Sequence, residues 1–199
     1  LREIKVLISN AGIALILKQK PEEEGSGELG ELRENFNTTF NTNITSIAAV
    51  TSTFLPLLHK SSSPKVINIS SGRASLGLAS KGLLPKSVSV SYGVSKVGIN
   101  ALTVEMLRAE DAILEDRGDS EDERGEGQRR GVGRGKTRFW AVNPGFCKTA
   151  FNGFKGTRDP VVGAEVVVRL VLDEEGVYGK GGFWEWDEGE EGRMREVPW

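Results

Sequence analysis

Four short apolar runs, separated by long helical stretches, constrain what this chain can fold into more than any other feature. Residues 4–9 (Ile-Lys-Val-Leu-Ile-Ser), 65–70 (Lys-Val-Ile-Asn-Ile-Ser) and 139–142 (Phe-Trp-Ala-Val) each run into a polar loop, and residues 177–186 read as a fourth strand. Near-continuous β-branched and aromatic runs mark strands covered on both faces. Between the first two, Phe36, Phe40, Ile44, Ile47, Val50, Phe54 and Leu58 recur at spacings of three and four, predicting a helix over 32–58 with one apolar face. Its many Asn and Thr residues are weak helix formers, so packing has to hold it. A second helix is predicted over 92–114. A third starts at Pro160, which suits a first turn, and has its core face in 161–172. The alternation predicts one domain, a doubly wound α/β sheet of parallel strands.

Composition narrows the function classes. The 199 residues suffice for one core, and a formal net charge of -2 excludes a strongly basic nucleic-acid binder. No segment reaches the roughly 20 apolar residues of a membrane span. The first residues are neither a signal peptide nor a transit segment. A cytoplasmic location with no membrane partner is therefore expected. The single cysteine, Cys147, excludes an internal disulfide framework, and the single histidine, His59, excludes a histidine-rich metal site. His59 reads as a surface or capping residue near a helix end. Cys147 reads as a loop thiol, because no histidine base lies close to it in sequence. Residues 18–31 read as an exposed connection, and 115–138 as a disordered insertion that turns from acidic to basic and has no apolar face. The arginines of 129–138 lack interleaved aromatics, so no nucleic-acid partner is expected.

The chemistry centres on Tyr92 and Lys96, which share a helix face at i and i+4. An ammonium near a phenol favours the phenolate, so Lys96 is expected to lower the Tyr92 pKa. A tyrosine so placed can exchange a proton with a carbonyl or alcohol oxygen. The Ser71 hydroxyl, at the end of the second strand, can hold that oxygen, since ligands of open α/β sheets sit at strand ends. The loop that follows carries Leu76, Leu78, Leu83, Leu84 and Val88, which either line an apolar pocket or pack.

Further motifs stand in order around this pair: Ser9-Asn10-Ala11-Gly12, Asn41-Thr42-Asn43, Asn68-Ile69-Ser70-Ser71, and Asn143-Pro144-Gly145 followed by Thr149. Together they resemble the short-chain dehydrogenase/reductase family, specifically its carbonyl-reductase-like fungal members. The endings Gly181-Gly182-Phe183-Trp184 and Val197-Pro198-Trp199 fit as well, and the resemblance covers residues 4–114 and 138–199. It implies NAD(P)-dependent hydride transfer between a carbonyl and an alcohol, with NADP or NAD as cofactor and NADP favoured. It implies a catalytic set of Asn43, Ser71, Tyr92 and Lys96. In that set Tyr92 is the acid or base, Ser71 stabilises the substrate oxygen, Lys96 tunes Tyr92 and binds ribose, and Asn43 holds a proton-relay water. Asn10, Ala11, Gly12, Tyr92, Lys96, Pro144, Gly145 and Thr149 are the implied cofactor contacts. The implied partners are a small aldehyde, ketone or alcohol and, in the intact form, further copies of the chain joined through the two long helices.

Plainer readings stand beside these. Asn43 can bond backbone within a bent helix. Ser70 or Ser71 can face the site. Asn10 and Gly12 can serve loop geometry, and Thr149 can cap a helix. The family's opening strand, glycine-rich turn and helix have no counterpart here: Gly25-Ser26-Gly27 follows no strand, and Gly77 to Gly82 lies between the serine and the tyrosine. The expected fold is thus an incomplete, N-terminally truncated Rossmann-type sheet in three α/β/α layers. Residues 4–9 would form an uncovered apolar edge and the fold would be marginal. An alternative function follows, that of a catalytically inactive homologue acting only through association with other subunits.

Overall fold

The structure, a computed structural model, describes residues 3–16, 26–116, 136–189 and 191–199. Its sheet runs β1 (Val6–Ser9), β2 (Lys65–Ile69), β3 (Arg138–Asn143), β4 (Phe183–Asp187) and β5 (Arg193–Glu196), neighbours in that order. The first four are parallel and β5 returns antiparallel to β4. Register sets Ile8 beside Ile67 and Ile67 beside Trp140, so one row of side chains crosses the sheet.

Strand alternation divides the core. Val66 and Phe139 meet Leu58, Leu55, Met106 and Leu107 on one face, while Ile67, Trp140 and Val142 meet Val166 and Leu170 on the other. The first face is covered by α2 (Ser46–Leu58) and α4 (Val90–Asp116), with α1 (Ser26–Phe40) and a π turn (Asn41–Thr45) packed against α4; α5 (Pro160–Val171) covers the second. This is the expected three-layer α/β/α arrangement. Full burial of each large apolar side chain stabilises by roughly 1.5–3 kcal/mol, which makes the central strands the anchor. As expected, β1 is an edge strand, and Ile8 is 44% exposed. Asp159 caps α5 by accepting from the Val161 N–H at 2.8 Å, with Pro160 in the first turn.

Several elements differ from the sequence reading. The parallel pattern ends at β4, and β5 has no apolar run to announce it: it reads Arg-Met-Arg-Glu and is held by pairing. The last parallel strand begins at Phe183 rather than at 177, because residues 177–182 form a turn with positive φ at Gly179 and Gly182. The loop after Ser71 contains a short 3-10 turn (Gly72–Ala74) and α3 (Leu76–Ser80). The first helix starts at Ser26, so Gly27 and Gly30 are helical; residues 18–25 of the expected connection lie outside the described residues. Residues 117–135 of the expected insertion also lie outside the described residues, while Thr137 is buried and Arg138 pairs with Asp173 at 3.1 Å.

The buried stripe of the first long helix is the largest difference. Asn35, Thr39, Asn43, Ile47, Thr51 and Leu58 are buried, whereas Phe36, Phe40, Ile44 and Phe54 are half-buried and Val50 is exposed. The facing residues of α4 include Ser91 and Ser95, so hydrogen bonding aligns the polar stripe inward. Ser91 donates to Asn35 Oδ1 at 2.5 Å and Asn43 donates to Ser95 at 2.9 Å.

Two glycines in helices test this packing. A Cβ at Gly163 would lie 2.3 Å from Cys147 Sγ and 2.8 Å from the Pro144 carbonyl, whereas one at Gly93 meets nothing within 4 Å. Gly163→Ala should destabilise by roughly 1–3 kcal/mol through overpacking. Gly93→Ala should stabilise by about 0.5–1 kcal/mol through helix propensity. Urea midpoints of the two variants should move in opposite directions.

Candidate active site

The C-terminal ends of β1, β2 and β3 gather the residues singled out in the sequence. Parallel strands present their ends and following loops on one rim, where α/β sheets bind ligands. Tyr92 sits in the first turn of α4 and Lys96 one turn on. The Lys96 Nζ lies 5.5 Å from the Tyr92 ring centre and donates to the Ile69 carbonyl at 2.8 Å. That carbonyl ends β2, so the lysine ties helix to strand just before the serine pair.

The two serines divide their tasks. Ser70 is buried and donates to Asn100 Oδ1 at 2.7 Å, on the helix side. Ser71 is half-buried and lies by the Tyr92 hydroxyl. It also accepts from the Arg73 N–H at 3.3 Å, capping the 3-10 turn. Strand alternation explains the split, since successive side chains point to opposite sides.

Asn43 lies in the π turn and is fully buried. Its Oδ1 accepts from the Ile13 N–H at 2.8 Å, and its Nδ2 donates to the Ile13 carbonyl and to Ser95, each at 2.9 Å. The amide therefore bonds the loop after β1 rather than backbone within its own bent helix. Single π turns often mark functional sites, because the wider turn redirects a side chain. Gly12 is held against this post: a Cβ there would lie 3.3 Å from Asn43 Oδ1 and 3.7 Å from Lys96 Nζ. Asn10 and Ala11 are exposed on the same loop. The Ser9 hydroxyl, at the end of β1, is buried with no partner in the structure.

Beyond β3, Asn143 carries the third loop. Its Oδ1 accepts from the Gly145 N–H at 3.1 Å, its Nδ2 donates to Glu185 Oε2 at 2.6 Å, and a Cβ on Gly72 would lie 3.1 Å from that Nδ2. Gly145 has φ +78°, a left-handed conformation suited to glycine. The Pro144 carbonyl accepts from the Cys147 thiol at 3.1 Å and from Arg158 Nη1 at 3.3 Å. Burial raises the Cys147 pKa, Asp159 and Glu188 add to this, and Arg158 opposes it, so the thiol stays protonated in its loop. Thr149 is half-buried and precedes a 3-10 turn (Ala150–Asn152), but its side chain makes no capping bond. Phe151 from that turn brings its ring within 5.7 Å of the Tyr92 ring. In the loop after Ser71, Leu76, Leu83 and Val88 are exposed, whereas Leu78 packs on Ala74, Phe183 and Val197.

Electrostatics correct one expectation. Burial raises the Tyr92 pKa; the Ser71 hydrogen bond and the Arg73 charge pull against that rise. Lys96 is not among the groups that lower it. Burial instead lowers the Lys96 pKa to about 8. Desolvation leads for both groups, since burial disfavours the charged form of each. The residues missed in the sequence are the buried hydroxyls and amides: Ser95, Ser91, Ser89, Asn35 and Thr39. Their signal was the i, i+4 repeat of Asn35, Thr39 and Asn43 and of Ser91 and Ser95, which a count of apolar residues passes over. Arg73 and Glu185 gave no sequence signal. Among the described residues no cluster of metal-ligating side chains occurs and no helix is long and apolar enough to cross a membrane.

Comparisons with known proteins agree with this geometry. A family profile described as short chain dehydrogenase matches residues 1–112. A short-chain dehydrogenase/reductase of Aspergillus fumigatus is 38% identical over 202 residues, covering 98% of this chain and 67% of the relative. A short-chain dehydrogenase of Penicillium roqueforti is 28% identical, covering 85% of this chain and 58% of the relative. Salutaridine reductase from Papaver somniferum superposes with a TM-score of 0.61 at 21% identity, over 91% of this chain and 72% of that one. An NADPH-bound carbonyl reductase from chicken fatty liver superposes at 0.57 and 21% identity, over 91% of this chain and 62% of that one. These two structural likenesses concern the fold.

Two measurements test the site's energetics. Asn43→Asp keeps the shape but cannot donate to the Ile13 carbonyl or Ser95, so it should destabilise by roughly 2–4 kcal/mol in urea titrations. In the folded chain Lys96 releases its proton near pH 8, against an ordinary value of 10.5. Between those values the unfolded chain binds more protons, so stability should rise as pH climbs from 8. The raised Tyr92 pKa acts the other way above its ordinary value of 10.0, where the folded chain holds the extra proton. Urea midpoints should therefore rise between about pH 8 and 10 in the wild type, and Lys96→Met should flatten that rise.

Proposed function

Because the chain belongs to the short-chain dehydrogenase/reductase family, a family of oxidoreductases, we propose that it interconverts a carbonyl and an alcohol with NADP or NAD, using Tyr92 as the proton-exchanging group. The carrying observation is the Tyr92–Lys96 pair, with the ammonium 5.5 Å from the ring centre, on a rim that also holds Ser71 and Asn43. The chain spans 67%, 58% and 57% of three curated relatives, so the activity of the whole protein is part of this proposal.

The residues present fit the nicotinamide end of such a cofactor. Gly12 lets the loop after β1 pack directly on Asn43 and Lys96, the Ser9 hydroxyl is buried and unpartnered, and Gly145 turns the loop after β3 in a left-handed conformation. Asn10, Ala11, Gly12, Tyr92, Lys96, Pro144, Gly145 and Thr149 would hold it. The bound cofactor supplies or accepts the hydride. The carbonyl reductase from chicken fatty liver is bound to NADPH, which supports the NADP reading.

In reduction the neutral Tyr92 phenol gives its proton to the carbonyl oxygen, and burial keeps it neutral beforehand. The Ser71 hydroxyl shares that oxygen and steadies the charge that develops on it. Below about pH 8 Lys96 keeps its ammonium, which stands 5.5 Å from the Tyr92 ring centre and bonds the Ile69 carbonyl. Asn43 completes the relay and holds residues 12 and 13 against the lysine. Oxidation runs the same steps in reverse. The substrate is a small aldehyde, ketone or alcohol, with Phe151 beside the reacting centre. The same reading takes the intact form as a homo-oligomer in the cytoplasm.

The test is turnover of an aldehyde and ketone panel with NADPH and NADH, read from nicotinamide absorbance. Tyr92→Phe keeps the ring but loses the proton, and should lower turnover by about 10²–10⁴-fold. A chain inactive with both cofactors, or a Phe variant as active as the wild type, would favour the non-catalytic, associating homologue instead.

A further inference from the structure

Arg73 belongs to none of the motifs above, yet it makes three hydrogen bonds that join two segments beside the site. Its backbone N–H donates to the Ser71 hydroxyl at 3.3 Å. Its guanidinium donates to two successive carbonyls, Pro85 through Nη1 at 3.0 Å and Lys86 through Nη2 at 2.7 Å. Those carbonyls belong to the segment that leads into α4. A few residues later Ser89 continues the fastening, donating to the Leu15 carbonyl at 2.7 Å and accepting from the Tyr92 N–H at 3.3 Å. A planar guanidinium suits this two-carbonyl clamp, because its donors are fixed in a fork.

We propose that Arg73 is a positioning residue for this site: its guanidinium clamps the 85–86 backbone beside the end of β2 and so holds the segment that leads into Tyr92. This rests on the oxidoreductase reading only for its consequence in catalysis. The charged groups around Tyr92 are Lys96 on its own helix and Arg73 from the segment after β2, while Phe151 presents an apolar ring and Ser71 a neutral hydroxyl. The Arg73 charge also opposes the effect of burial on the Tyr92 phenol, which supports this placement. Its two roles are separable. Lysine keeps the charge but cannot fork across two carbonyls, and methionine keeps the apolar stem but loses both charge and donors.

The experiment needs no turnover. The chain has two tyrosines, Tyr92 and Tyr178. Fluorotyrosine labelling lowers phenol titration into an accessible pH range, fluorine NMR reads it, and Tyr178→Phe assigns it. Arg73→Met should lower the Tyr92 ionisation constant by about threefold or more. Arg73→Lys should leave it close to wild type. Limited trypsin digestion reads the clamp through the peptide ending at Lys86. Its release should be about tenfold faster in both variants, since charge-assisted bonds are lost from each. An unchanged ionisation constant in Arg73→Met overturns the proposal, and so does unchanged cleavage at Lys86 in both variants. Far-UV circular dichroism of each variant confirms the fold, and Arg73→Lys supplies the check if the Met variant unfolds. Failure of the oxidoreductase reading would appear separately, as an active Tyr92→Phe, and leaves these two readouts intact.

Discussion

The buried amide of Asn43 is the interaction on which the rim depends. Both its nitrogen and its oxygen are engaged, binding both polar groups of the Ile13 backbone and the Ser95 hydroxyl. An unpartnered amide in that position would be costly, so the three bonds form together or the packing changes. They join the loop after β1 to both long helices. Gly12 is pressed against Asn43 and Lys96, and Ser95 in turn donates to the Tyr92 carbonyl at 2.8 Å. The π turn makes this possible by turning a polar residue inward midway along a helix.

A second set of polar braces comes from the C-terminal hairpin. Glu185 on β4 holds Asn143 and is itself gripped by Arg195 on β5. Glu188 holds Arg158 at 2.7 Å, and Arg158 holds the Pro144 carbonyl. The antiparallel strand thus stiffens the loop after β3 from behind. The chain end also fastens the segment after Ser71. Ser75 donates to the Pro198 carbonyl at 2.5 Å, the Gly77 N–H donates to the Trp199 carbonyl at 3.0 Å, and Trp199 lies against Phe183. These braces are local and short, which suits a rim built from loops.

Much of the architecture was legible in the residues. β2 and β3 announce themselves because they are covered on both faces and read as unbroken apolar runs. The α4 pair of Tyr92 and Lys96 was legible from helical spacing. Ser71 was legible only as one of two serines, and strand alternation decided between them. What escaped notice was polar. The inward stripe of Asn35, Thr39 and Asn43 loses to Phe36, Phe40 and Ile44 in any apolar count, because hydrophobic periodicity cannot register a hydrogen-bonded interface. β5 escaped because an exposed antiparallel strand needs only backbone pairing. The tuning of Tyr92 also escaped, since proximity to Lys96 along a helix says nothing about how deeply both are buried.

By itself the sequence determined the layered α/β architecture, the order of the motifs, the family and the pairing of Tyr92 with Lys96 on one helix face. These follow from local rules: apolar runs make covered strands, and a four-residue spacing fixes a helix face. Only the tertiary structure decided that Ser70 turns to Asn100 while Ser71 stays at the rim, that Asn43 holds the β1 loop, and that Arg73 bonds the Pro85 and Lys86 carbonyls. Those outcomes depend on how far each group is removed from water and on which partners from distant segments arrive beside it. Desolvation and long-range hydrogen bonding are properties of the packed chain, and no stretch of sequence carries them alone.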